Sequence, residues 1–60
     1  MESILVVDDE KNIRITISEF LRERKYTVHL AEDALTAVEL LRETPIDLVI
    51  TDIMMPRMKG

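Results

Sequence analysis

The sequence predicts an α/β fold, a βαβαβ unit whose three strands form a parallel sheet in the order 2-1-3. Three observations predict it. Two short runs, Ile4 to Val7 and Leu48 to Ile50, are wholly apolar and rich in β-branched residues, as buried strands are. Two stretches between them change period, placing apolar residues at helical spacing. A third strand-like run, Thr27 to Ala31, separates the two helical stretches by short connections, and that alternation means a parallel sheet.

Ile4-Leu5-Val6-Val7 opens the chain and ends in Asp8-Asp9-Glu10. Ile13, Ile17, Phe20 and Leu21 then fall at i, i+4, i+7 and i+8, the core stripe of a first helix. Asp8 or Asp9 is expected to cap it, with acids favoured at its positive N-terminal end. Arg22, Arg24 and Lys25 suit its C-terminal end. Thr27-Val28-His29-Leu30-Ala31 alternates polar and apolar, so it reads as a strand with less cover, and His29 as a surface residue of an edge strand. Asp33 is the expected N-cap of a second helix whose apolar stripe is Ala34, Ala37, Val38 and Leu41. Thr44-Pro45 ends that helix, and the last strand, Asp47 to Thr51, follows as a buried strand. Pro56 removes a donor and restricts Met55, so this strand should end near Asp52. Met54, Met55 and Met58 read as loop packing.

The wholly apolar first and third strands belong side by side, with the mixed second strand at an edge. Right-handed crossovers then put the two helices on opposite faces. Neighbouring strands lie about 4.8 Å apart. Asp8 and Asp9, ending strand one, are therefore expected close to Asp52, ending strand three, at the carboxyl edge where open α/β sheets bind ligands.

Carboxylates this close repel one another unless a cation neutralises them. Oxygen ligands with open positions suit Mg²⁺, which keeps waters and shares its shell with phosphate. A carboxylate beside it can attack phosphorus and form an aspartyl phosphate, one acid acting as nucleophile and the others holding the metal. Taken singly, each acid has a plainer reading. Asp8 and Asp9 would serve as a helix cap with a solvated charge, and Asp52 as a polar strand end. Convergence of the two clusters is what favours the metal and phosphoryl chemistry.

The 60 residues can make one small domain. At that size only about 60% of the unfolded surface is buried, so stability is marginal. No cysteine or Cys/His cluster staples the fold, and the cysteine-free chain suits a reducing cytosol. Met1-Glu2-Ser3 lacks a basic leader and no apolar run reaches membrane length, so a cytoplasmic chain without a membrane partner is expected. The net charge of −4 argues against direct nucleic-acid binding.

Ile4-Leu5-Val6-Val7-Asp8-Asp9-Glu10, followed further on by Thr51-Asp52-Ile53-Met54-Met55-Pro56-Arg57-Met58-Lys59-Gly60, resembles the receiver domain of two-component response regulators over the whole chain. The resemblance implies a flavodoxin-like fold with strand order 2-1-3-4-5. It implies that Asp52 accepts a phosphoryl group from a sensor histidine kinase. It also implies that Asp9, Asp52 and the carbonyl of Met54 bind Mg²⁺ directly, with Asp8 assisting through water. On this reading the chain is a phosphoacceptor module rather than an enzyme. Residues 1–60 are then the N-terminal half of a receiver, without the C-terminal half that holds the switch Ser/Thr and the phosphate-binding Lys.

The sequence departs from the family pattern at Lys25, where such helices commonly end in Gly before an aromatic residue, here Tyr26. A positive φ at Lys25 would make that turn mildly strained. Lys59 stands where the family usually has Asp. Ile15 lies about 200° around the first helix from Ile13, at roughly 100° per residue. It is off the core stripe, and the resemblance suggests that this face meets the kinase.

An alternative of a different class is a self-associating structural half-domain. Strand three would then be an exposed edge with apolar side chains on both faces, an arrangement that recruits another chain. A two-fold homodimer through that edge, or a higher homo-oligomer, is the expected result. On that view a charge at Val49 leaves the chain largely unfolded.

Overall fold

The computed structural model describes residues 2–51. The expectations that fall on Asp52, Met54, Met55, Pro56, Met58 and Lys59 lie outside the described residues. The elements are β1 (Ser3–Val7), α1 (Lys11–Glu23), β2 (Thr27–Ala31), α2 (Ala34–Glu43) and β3 (Leu48–Thr51). The three strands form one parallel sheet in the order β2-β1-β3, as the sequence predicts. Val7 faces Ala31 on one side and Thr51 on the other, so the three strands end level.

The period of a strand divides the core in two. Ile4 and Val6 pack with Val28 and Leu21, and Ile17, Tyr26, Leu30 and Ile50 lie against them beneath α1. Leu5 and Val7 pack with Ala31 and Ala37, with Leu40 and Ile46 against them beneath α2. The helices thus occupy opposite faces, as right-handed crossovers require. Leu5 and Val6 are fully buried, at 0% exposure each. Burial of side chains of that size stabilises by about 1.5–3 kcal/mol apiece.

The helix ends follow local chemistry. Asp33 is the N-cap of α2, its side chain accepting the Thr36 N–H at 2.9 Å. The C-terminus of α1 is a Schellman turn. Lys25 N–H donates to the Arg22 carbonyl at 2.9 Å and Tyr26 N–H to the Leu21 carbonyl at 3.2 Å. Lys25 takes φ 74° there, the left-handed conformation anticipated for it. Tyr26, half-buried, closes the turn by packing into the α1 cluster.

Three expectations are corrected. First, neither Asp8 nor Asp9 is the N-cap of α1. Glu10 holds that position without a side-chain bond, because the Asp8 carboxylate turns back onto the Glu10 N–H instead. Second, both helices are rotated from their expected stripes. Ile13 and Phe20 are exposed while Ser18 is buried, so α1 meets the sheet through Ile17, Ser18 and Leu21. Ser18 is small enough for close approach and satisfies its hydroxyl within the helix, donating to the Ile15 carbonyl at 2.8 Å. Phe20 instead lies outside, with the Arg24 guanidinium 4.3 Å from its ring centre. In α2, Ala37 and Leu40 face the sheet, whereas Val38 and Leu41 are exposed. Third, β3 is not a buried strand. Leu48 is 54% exposed and Val49 41%, because α1 and α2 pack chiefly over β1 and β2, and from β3 it is Ile50 that lies against the α1 cluster. Among the described strands β3 is an open edge, held to β1 at its start by two bonds. Asp47 N–H donates to the Ser3 carbonyl at 2.8 Å, and Ser3 N–H to Asp47 Oδ2 at 2.8 Å.

Candidate functional site

The carboxyl edge of the sheet gathers acids. Asp8, Asp9 and Glu10 follow β1, and Glu32 and Asp33 follow β2. Asp8 is the most constrained of them. Its N–H donates to the Ala31 carbonyl at 3.1 Å, which extends the β1–β2 ladder one residue beyond the strand. Its Oδ1 accepts the Glu10 N–H at 2.9 Å, a local turn of the kind short acidic side chains favour. Its carbonyl accepts from Arg14 Nη1 at 2.8 Å. Asp8 is therefore buried, at 5% exposure, while Asp9 beside it stands exposed.

Of the predicted site residues, Asp8 and Asp9 are described, while Asp52 and Met54 lie outside the described residues. Asp8 and Asp9 sit together at the end of β1, and Thr51, in register with Val7, ends β3 beside them. Among the described residues no group of three His, Cys, Asp or Glu side chains could hold a metal ion. Asp8 and Asp9 are carboxylate donors, a hard oxygen set of the type Mg²⁺ takes, and the Glu10 bond uses only one oxygen of Asp8.

One cleft among the described residues, about 580 Å³, runs between α2 and β2 and is lined by Leu30, Thr36, Glu39, Leu40, Arg42 and Glu43. A smaller one of about 320 Å³ takes in Arg14, Ala31 and Glu32, nearer the acids. Neither contains Asp8 or Asp9 among its lining residues. Arg14 is the residue that sequence reasoning missed. Its signal was a cation at half-buried helical spacing from Ile17, Ser18 and Leu21, one turn into α1.

The family model of the response regulator receiver domain matches residues 4–60. Response regulator RR06 of Streptococcus pneumoniae serotype 2 is 45% identical over 58 residues, covering 97% of this chain and 27% of its own length. Response regulator MprA of Mycobacterium sp. strain KMS is 40% identical over 57 residues, covering 95% and 25%. Response regulator MprA of Mycobacterium avium is 37% identical over 57 residues, with the same coverage of 95% and 25%. The chain spans about a quarter of the length of these curated relatives. No solved structure gives a significant match. Among the described residues no helix is long and apolar enough to cross a membrane.

The chain belongs to the response regulator receiver domain family of two-component systems. Receiver domains are phosphoacceptors that interact with histidine kinases and in general bind Mg²⁺ at the phosphorylation site. This membership corrects the expectation of a non-enzyme. Some receivers have autophosphatase activity, so membership of the family does not carry the reading of a non-enzyme.

Proposed function

We propose that this receiver-family chain takes a phosphoryl group onto Asp52 from a sensor histidine kinase, with Asp9, Asp52 and the Met54 carbonyl as direct Mg²⁺ ligands and Asp8 assisting through water. The observation that carries the reading is the register of β1 with β3. Val7 pairs with Thr51, and in the sequence Asp8 and Asp52 are the residues that follow them. Parallel neighbours about 4.8 Å apart favour convergence of the acids that follow them. The proposal treats residues 1–60 as the N-terminal half of a receiver, in keeping with the strand order 2-1-3. It carries a cytoplasmic location with it.

The chemistry is a displacement at phosphorus. A carboxylate oxygen of Asp52 attacks the phosphorus of a phosphohistidine as the P–N bond breaks. The electron pair stays on the imidazole nitrogen, which takes up a proton from solvent. A bound Mg²⁺ would neutralise charge developing on the phosphoryl oxygens. Asp8, anchored through its N–H, carbonyl and Oδ1, contributes a carboxylate that cannot swing away. Asp52→Asn should abolish labelling by a small acyl phosphate donor and by the kinase alike. Equal labelling of that variant would falsify the assignment.

Ile15 supports the kinase-facing part of the reading. It is 39% exposed, on the side of α1 away from Ile17 and Leu21. Ile15→Ser should slow transfer from the kinase and leave small-donor labelling unchanged. Unchanged rates from both donors would remove α1 from the kinase surface.

The self-associating half-domain is the subordinate reading. The open edge of β3, with Leu48 and Val49 exposed on opposite faces, supports pairing with a second copy as a homodimer or higher homo-oligomer. Sedimentation at micromolar concentration should then give at least twice the monomer mass. A monodisperse monomer rules it out.

A further inference from the structure

We propose that Arg14 is a positioning residue for the acid pair, its guanidinium holding the turn between β1 and α1 in which Asp8 presents its carboxylate to a bound Mg²⁺. This rests on the Mg²⁺ reading of the site given above. Arg14 meets the turn through its side chain, and its main chain adds the first helical bond of α1. Its Nη1 donates to the Asp8 carbonyl at 2.8 Å, and its own backbone N–H donates to the Glu10 carbonyl at 3.1 Å. Between those points the Asp8 Oδ1 accepts the Glu10 N–H at 2.9 Å. Three consecutive residues, Asp8 to Glu10, are thereby tied to the second turn of a helix that is itself packed on the sheet.

The choice of partner atom is what gives Arg14 this role. Its guanidinium bonds the main-chain carbonyl of Asp8, so the bond fixes the direction of the backbone without consuming the carboxylate. A carboxylate whose rotation about its own Cα is set in advance loses less freedom when it holds a water of the bound ion. Arginine suits the position because its planar, weakly hydrated group tolerates half burial and presents a rigid fork of donors to the carbonyl. Partners that orient a ligand from behind typically change metal affinity by 10–100-fold when removed.

The test compares Arg14→Ala and Arg14→Lys with the unmodified protein in the full chain, titrating with Mg²⁺ alone. Arg14→Ala should raise the Mg²⁺ dissociation constant on the order of tenfold. The Glu10 amide, which the fixed Asp8 turn protects, should exchange faster in the same variant. Arg14→Lys keeps a donor within reach of the Asp8 carbonyl and should recover most of the affinity. An unchanged dissociation constant in Arg14→Ala overturns the proposal. A loss of affinity that simply tracks melting temperature across both variants also overturns it, since that is the behaviour of a structural residue. If Arg14→Ala fails to fold, wild-type affinity and wild-type Glu10 exchange in Arg14→Gln overturn it, and weakened binding there upholds it. Asp9→Asn separates the two layers of inference. Undiminished Mg²⁺ binding in that variant refutes the metal reading itself, whereas lost binding there with no effect at Arg14 refutes only the positioning role.

Discussion

β1 and β3 are written in nearly the same letters and live in opposite surroundings. Ile4-Leu5-Val6-Val7 is sealed at 0–3% exposure, while Leu48 and Val49, in the adjacent strand, are 54% and 41% exposed. Each run is short, apolar and β-branched, so each becomes a strand. The difference lies in neighbours. β1 has a strand on both edges and a helix on both faces, whereas β3 has β1 on one edge and only the margin of the helical cover, Ile50 lying against the α1 cluster. An apolar run therefore predicts a strand, and burial is decided by what the rest of the fold lays against it. The functional consequence is an asymmetry at the carboxyl edge. The acids that follow β1 issue from the most constrained part of the molecule, and the chain leaves β3 from the least covered.

The contrast can be broken most severely at its sealed end. Leu5→Ala should destabilise by about 2–5 kcal/mol, the cost of a cavity at a fully buried leucine. Val49→Ala, at 41% exposure, should cost less than about 1 kcal/mol. Chemical denaturation of the two variants side by side measures this, and equal losses would mean that β3 is covered in solution.

A smaller effect is expected where β3 is fastened to β1. Asp47→Ala removes the carboxylate that accepts the Ser3 N–H. An exposed bond of this kind contributes on the order of 0.5–1 kcal/mol. Hydrogen exchange should quicken at the β3 amides and stay slow in β1, which would sharpen the difference between the strands. Uniform quickening across the sheet would show instead that the strands open as one unit.

Lys25→Gly is a control remote from both strands. It relieves the positive φ at the end of α1 and should raise stability by about 1 kcal/mol. A loss of stability would show that the lysine side chain contributes more than its backbone costs. The smallest expected effect on a single copy is Val49→Lys. The sequence alone expects a charge there to unfold the chain. At 41% exposure a lysine reaches water, so the stability of one copy should change by less than about 0.5 kcal/mol. Any association through the β3 edge should disappear in sedimentation, and persistence of association would move the interface elsewhere.

Much of the fold is legible in the sequence because it is set by chemistry local to the chain. The five elements and the Asp33 cap depend on residues a few positions apart and were readable there, the parallel order followed from comparing the apolar character of the three strands, and the family resemblance raised the positive φ at Lys25. Pairing of Asp8 and Asp9 at the end of β1 was readable for the same reason. Tertiary structure alone decided the rest. On α1, the expected stripe of Ile13, Ile17, Phe20 and Leu21 shares two members with the face that docks, and small Ser18 chooses between the two rotations by letting the helix come close. The Asp8 carbonyl finds Arg14 only once α1 lies along the sheet, and the exposure of β3 depends on helices that pack elsewhere. Periodicity records which residues share a face of an element. The direction in which that face points is fixed by contacts between elements, where a rotation of a few tens of degrees exchanges one buried side chain for another.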